Sequence, residues 1–250
     1  MQNDSAWMEP VLIEGPGSPA DADLKSGAVH LWYYDVSGRE ILKNLAHPFM
    51  QPQDEAKAAG FLRPEPRSDF MIRRALLRRL LGLYTGLALF RNALEYSERG
   101  QPFMPADASG VRPLFFSVSH TGTDLLFALA KDQTAGTDIE EIRPRKDLPM
   151  IMRKACSPDE MNYIRNLPES QQPAAFYRIW TLKEAISKAS GTGLTSDILH
   201  NPASGALHHY HFKLFGRLAG AVATFLPVQE FRWRTCLPEI MLCEGLPSRQ

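Results

Sequence analysis

The sequence predicts an α/β fold of the α+β kind with mostly antiparallel strands, and three observations carry that reading. "AVHLWYYDV" (28–36) is a strand-like run of aromatic and β-branched residues. In "FLRPEPRSDFMIRRALLRRLLGLY" (61–84), Phe70, Leu76, Leu77, Leu80 and Leu81 recur at helical spacing. From residue 114 onward, "LFFSVSHTG", "LLFALA" and "TAGTDIEEI" follow one another through short turns, as strands that double back do.

Taken in order, residues 10–27 hold Gly15, Pro16, Gly17 and Pro19 and read as a loose leading segment before the 28–36 strand. A Pro-rich stretch, "HPFMQPQ", precedes the 61–84 helix, which shares its leucines with Arg63, Arg67, Arg73, Arg74, Arg78 and Arg79. That makes it amphipathic with a basic face, either solvated or gripping phosphate. "ERGQPFMP" is turn-like. "KDQ" makes a tight turn after "LLFALA", so that "TAGTDIEEI" returns as the second arm of a hairpin. "SPDEMNYIRNL" opens on Ser157, with Pro158 at the first helical position and Glu160 at the capping-box spacing. The next helix, "RIWTLKEAISKASGTG", ends at a glycine. "HHYHFKLF", "AVATFLP" and "FRWRTCL" read as strands of the tail, which carries no chemical motif and is assigned to the second half's sheet.

Composition limits the function classes. Lys plus Arg equal Asp plus Glu at 28 each, so no global field points to nucleic acid or a membrane surface as partner. Cys156, Cys236 and Cys243 have no zinc-ligand spacing and form no even disulfide set, which suits free thiols in a reducing compartment. "MQNDSAWMEP" lacks the features of a signal peptide, and "LLGLYTGLALF" is too short to span a bilayer. The expectation is a soluble cytoplasmic protein.

Chemistry concentrates in two motifs. In "GTDIEEI", strand alternation puts Asp138 and Glu140 on one face with Cα atoms about 6.5–7 Å apart. Such a pair is an exposed edge held by solvent, or part of a divalent-cation site. In "WTLKEAISK", Trp180, Glu184 and Lys188 stack along one side of a helix. If that helix crosses the strand, Glu184 adds a third carboxylate, and three oxygen ligands with waters and a substrate phosphate describe a Mg²⁺ site. Otherwise Glu184 and Lys188 form a surface ion pair contributing only about 0.3–0.5 kcal/mol. Trp180 packs and fixes the helix, while Lys183 binds ligand or stays solvated. Ser119 and His120 in "SVSHTG" lie at a strand end beside a glycine turn, where an anion could be met.

In this order, "GQP", "FFSVSHTG", "GTDIEEI" and "WTLKEAISKASGTGL" resemble the 4′-phosphopantetheinyl transferases of the surfactin-synthetase-activating type. The resemblance covers about residues 60–195 by motif. It implies a monomer built as a pseudo-dimer of two similar α/β halves, with the active site in the cleft between them. Residues 1–134 (with 1–27 the loose leading segment) would form one half, and 135–250 the half carrying the metal site and catalytic helix. It further implies Asp138, Glu140 and Glu184 as ligands of Mg²⁺ or Mn²⁺, with coenzyme A as co-substrate. Glu184 would help deprotonate the incoming serine and Lys188 would neutralise or protonate the departing phosphate. Ser119, His120, Arg63, Arg67 and Lys183 would contact coenzyme A. "GQP" departs from the G-K-P of many relatives, and Asp69 stands where an arginine is expected. The implied reaction moves the phosphopantetheine arm onto a serine of an apo acyl, peptidyl or aryl carrier protein, releasing 3′,5′-ADP. "RPRKDLPMIMRK" (143–154), in which cations alternate with Leu148, Met150, Ile151 and Met152, is the expected carrier-docking segment. The competing readings are a non-catalytic coenzyme A or nucleotide-binding module, and a Mg²⁺-dependent phosphohydrolase.

Overall fold

A computed structural model describes residues 7–15, 22–86, 94–106, 114–200 and 207–243. Two sheets organise it. The first runs β1 (Ile13–Glu14), β10 (Glu230–Thr235), β2 (Ala28–Asp35), β6 (Asp124–Ala130), β5 (Phe115–Thr121), and the second runs β7 (Ala135–Glu141), β9 (Leu218–Thr224), β8 (His208–Leu214). A short hairpin pairs β3 (Glu95–Tyr96) with β4 (Pro102–Phe103). Only β10 pairs in parallel, with β1 and β2; the other strand pairs are antiparallel. The fold is the mixed α/β, antiparallel-rich arrangement expected.

Alternation explains how the sheets stack. On β2 and β6, Trp32, Tyr34, Leu125, Phe127 and Leu129 point into a core shared with helices α1 (Arg39–Ala46), α3 (Pro64–Thr85) and α8 (Pro238–Cys243). Their neighbours Leu31, Tyr33, Leu126 and Ala128 point the other way, against Ile139, Phe212 and Val222 of the second sheet. A strand buried on both faces needs a continuous apolar run, which is why "LLFALA" does not alternate. Helix α6 (Gln172–Ser190) covers the far face of the second sheet, its Ala185 and Ala189 against Ala221 and Ala223 of β9. Among the described residues no helix is long and apolar enough to cross a membrane.

Several expectations are corrected. β6 and β7 do not form a hairpin: β2 and β5 already flank β6, so the chain crosses to the second sheet, where β7 pairs with β9. The tail does not serve the second sheet alone, because β10 inserts between β1 and β2 and α8 joins the first core. The arginine face of α3 is largely internal: Arg74, Arg78 and Arg79 are buried, with Arg78 Nε 2.7 Å and Arg74 Nε 3.1 Å from the carboxylate of buried Asp54. Asp54 lies on α2 (Pro52–Ala59), which with α1 went unread in the sequence. The loose leading segment is described only in part, residues 16–21 lying outside the described residues.

Candidate active site

β5 and β7 face each other across the junction of the two sheets without a main-chain ladder. Instead, hydroxyls at alternate positions of β5 accept from alternate amides of β7: Thr137 N–H donates to Ser117 Oγ (3.1 Å), Ile139 N–H to Ser119 Oγ (3.2 Å) and Glu141 N–H to Thr121 Oγ1 (3.5 Å). Two of these hydroxyls in turn donate hydrogen bonds to the acids in question. Ser119 donates to Asp138 Oδ1 at 2.6 Å and Thr121 to Glu140 Oε2 at 3.0 Å. The "S-V-S-H-T" of β5 is therefore the cradle of the "D-I-E" of β7. Ser119 is buried, and its hydroxyl bridges the two strands between Asp138 and the Ile139 amide.

Helix α6 brings the third acid. It starts with Pro173 in its first turn and stops at Gly191, whose φ of +69° is the left-handed conformation glycine adopts at no steric cost. Gly136 lets it lie directly on β7, since a Cβ there would sit 2.0 Å from the carbonyl oxygen of Ala185 and 2.4 Å from the amide nitrogen of Ala189. The close approach sets Glu184 and Lys188 over the strand. Lys188 Nζ reaches Asp138 Oδ1 at 2.8 Å and the Thr137 carbonyl at 3.0 Å. Trp180 packs in the cluster of Leu148, Met152 and Ile164, stacked on Phe176.

Lys183 points elsewhere, and its expected role is corrected. Its fully buried ammonium donates to the Ala155 carbonyl (2.7 Å), Glu160 Oε2 (2.5 Å) and the Leu199 carbonyl, so its three protons are spent inside the protein and it does not meet solvent. Glu160 accepts it while completing the capping box of α5 (Pro158–Arg165) with Ser157.

The acids act on one another. Burial first and Asp138 second push the Glu140 carboxyl above the ordinary range. The same causes in the same order raise Glu184, which also feels Glu140. Lys188 compensates one oxygen of Asp138, while its other oxygen, Oδ2, is buried with no hydrogen-bond partner. A hard divalent cation fits this donor set: oxygens only, an orphaned buried carboxylate atom, and two further acids whose charge is opposed by their surroundings. Among the described residues no trio of acids, histidines or cysteines is closed to ligating distance, in keeping with an ammonium on Asp138.

Of the other predicted residues, His120 shares the field of Arg73 and Lys188, whereas the arginines at 63 and 67 have no such connection to the site. His120 stands at the end of β5, where burial, then Arg73, then Lys188 lower its pKa to about 4. It is neutral at pH 7. Arg73, half-buried on α3, is the arginine that shares its field, and sequence reasoning did not single it out from its five neighbours. Of the α3 arginines, Arg74 and Arg78 are taken by Asp54 and Arg79 by the Met241 carbonyl, a division that only the folded structure shows. Arg63 and Arg67 are exposed at the start of α3, and nothing connects them to the carboxylates. Glu184, Ser187 and Lys188 line one wall of a cavity of about 470 Å³ whose other walls are Arg99, Gly100 and Gln101, with Phe116 and Val118 of β5. Gln101 bonds the Lys188 carbonyl at 3.2 Å. In the 143–154 segment, Leu148 and Met152 turn inward and Asp147 holds Arg145 at 2.8 and 2.9 Å. Met150, Arg153 and Lys154, on α4 (Leu148–Ala155), and Lys146 before it are exposed.

Comparison with known proteins agrees with this geometry. Residues 134–235, which include β7 and α6, match the family model of the 4′-phosphopantetheinyl transferase superfamily. The chain is 34% identical over 177 residues to the 4′-phosphopantetheinyl transferase HetI of Nostoc sp., covering 70% of this chain and 74% of that protein. It is 35% identical over 125 residues to AcpT of Salmonella typhimurium, spanning 50% of this chain and 59% of that protein. It is 28% identical over 161 residues to psf-1 of Bacillus pumilus, spanning 64% and 66%. With a relative matched at this identity over nearly three quarters of its length, the chain belongs to the 4′-phosphopantetheinyl transferase superfamily.

Proposed function

We propose that this 4′-phosphopantetheinyl transferase takes its arm from coenzyme A and attaches it to a serine of an apo carrier protein, in the manner of the surfactin-synthetase-activating type. The observation that carries the reading is the meeting of Asp138 and Glu140 of β7 with Glu184 and Lys188 of α6, the latter two lining the 470 Å³ cavity, with Asp138 Oδ2 buried and unpartnered.

Asp138, Glu140 and Glu184 would hold Mg²⁺ or Mn²⁺, which when bound neutralises the pyrophosphate charge and polarises the phosphorus under attack. Serine Oγ attacks the β-phosphorus of coenzyme A, a new P–O bond forms, and the bond to the bridging oxygen of 3′,5′-ADP breaks. Glu184, whose pKa burial and Asp138 raise, is suited to accept the serine proton. Lys188 supplies positive charge for the departing phosphate. Neutral His120 can hydrogen-bond a nucleotide phosphate while the Arg73 cation beside it carries the charge. The exposed cations of 146–154, with Met150, offer an acidic, partly apolar carrier a surface. The protein would work as a cytoplasmic monomer.

Incubation with coenzyme A, Mg²⁺ and an apo-carrier, followed by weighing the carrier, tests the reading. The expected result is a gain of one phosphopantetheine arm, lost in Glu184→Gln with coenzyme A binding retained. In Lys146→Glu/Arg153→Glu the KM for carrier should rise while that for coenzyme A holds; equal rises reject the docking surface. A carrier of unchanged mass, or coenzyme A cleaved by water instead, would reject transfer.

A further inference from the structure

The tightest charged contact between the two sheets plays no part in the chemistry above. Asp124, buried at the start of β6, accepts Tyr33 Oη at 2.6 Å and both terminal nitrogens of Arg217 at 2.7 Å each. Arg217 belongs to the turn between β8 and β9, so a guanidinium of the second sheet is held bidentately by a carboxylate of the first. The same turn carries Phe215 at φ +53°, followed by Gly216 at +67°. Turns with two successive positive φ values select Asn-Gly, and a bulky side chain there is strained. Phe215 is 58% exposed, so burial does not explain its presence. What its ring touches is Tyr33, edge-on with centroids 5.1 Å apart, beside the hydroxyl that reaches Asp124.

We propose that the β8–β9 turn is a latch whose Phe215 and Arg217 are positioning residues, keeping the Thr121 hydroxyl registered on Glu140. The inference rests on the reading of Asp138, Glu140 and Glu184 as the cation site. Two connections carry it. Asp124 is the cross-strand partner of Thr121 at the end of the β5–β6 hairpin, so fixing Asp124 fixes Thr121. Arg217 also accepts, through its carbonyl, the amide of Ile142 at 2.8 Å, just past Glu140 and Glu141 at the end of β7. Arg217 thus grips β6 at the cross-strand partner of Thr121 and the chain just past β7, on the two sides of the Thr121–Glu140 hydrogen bond. The strain at Phe215 is tolerated because its ring closes the same junction from the solvent side.

The latch makes a prediction that local conformation opposes. Phe215→Asn suits the turn better, so it should leave the melting temperature equal or higher. It should nevertheless raise the Mn²⁺ concentration that half-fills the site, read by electron paramagnetic resonance of the full chain with saturating coenzyme A, about threefold. Arg217→Met should raise it about tenfold, and Arg217→Lys should recover most of that loss. Wild-type Mn²⁺ affinity in folded Phe215→Asn and Arg217→Met overturns the latch, as does a loss seen only in variants with lowered melting temperature. Wild-type protein that holds no Mn²⁺ at all overturns the cation site itself, and the latch with it.

Discussion

Lys183 and Glu184 are neighbours in sequence, about 100° apart around α6, and that step separates structure from chemistry. Lys183 is enclosed by Glu160 and two main-chain carbonyls, whereas Glu184 faces the cavity. Replacing Lys183 with Met strands the charge of Glu160 in a mostly buried place, a loss of about 3–5 kcal/mol. The expected outcome is a lower melting temperature with KM for coenzyme A unchanged, and a raised KM in the folded variant would return Lys183 to the binding site. Glu140 and Glu184 make the opposite kind of contribution. Burial and Asp138 raise both, so the folded chain keeps their protons to higher pH than the unfolded chain does. Cation-free stability therefore falls as pH rises from the ordinary carboxylate range through the raised values, and a cation that replaces those protons restores it. Added Mg²⁺ should lift the melting temperature more at about pH 7.5 than at about pH 5; equal shifts would contradict this.

At the scale of elements, the pairing of β7 with α6 depends on Gly136. A methyl group there meets main-chain atoms of Ala185 and Ala189, which cannot rotate away. Gly136→Ala should cost about 1–3 kcal/mol and, by lifting α6, depress turnover more than it raises the KM for carrier. Retained turnover and stability would show that the close approach is dispensable. Much of this was legible in the chain: the D-x-E alternation, the four-residue spacing of Glu184 and Lys188, and the capping box at Ser157 are local signals that tertiary structure left intact. The hydroxyl ladder was not legible, because Ser119 and Thr121 acquire their partners only when two sheets meet. The arginines of α3 misled for a similar reason. A basic face reads as solvated or ligand-binding until a remote acid, here Asp54, is folded against it.

For the whole molecule, the site lies where the two sheets join, and the chain crosses that junction more than once. The chain leaves the first sheet after β6 to form β7 of the second, β10 and α8 return, and the Asp124–Arg217 contact ties the two sheets beside Thr121. No single stretch of sequence reports such a junction, so the tail's strands read as belonging to one sheet. Lys188 occupies one oxygen of Asp138 and leaves the other without a hydrogen-bond partner. Binding at the junction would exchange that ammonium for a divalent ion shared across β7 and α6. The direct test is anomalous scattering from Mn²⁺ in crystals grown with coenzyme A. A single peak within bonding distance of carboxylate oxygens from Asp138, Glu140 and Glu184 is the predicted result. A peak held by other groups, or carboxylates still closed on Lys188 with no ion between them, would contradict it.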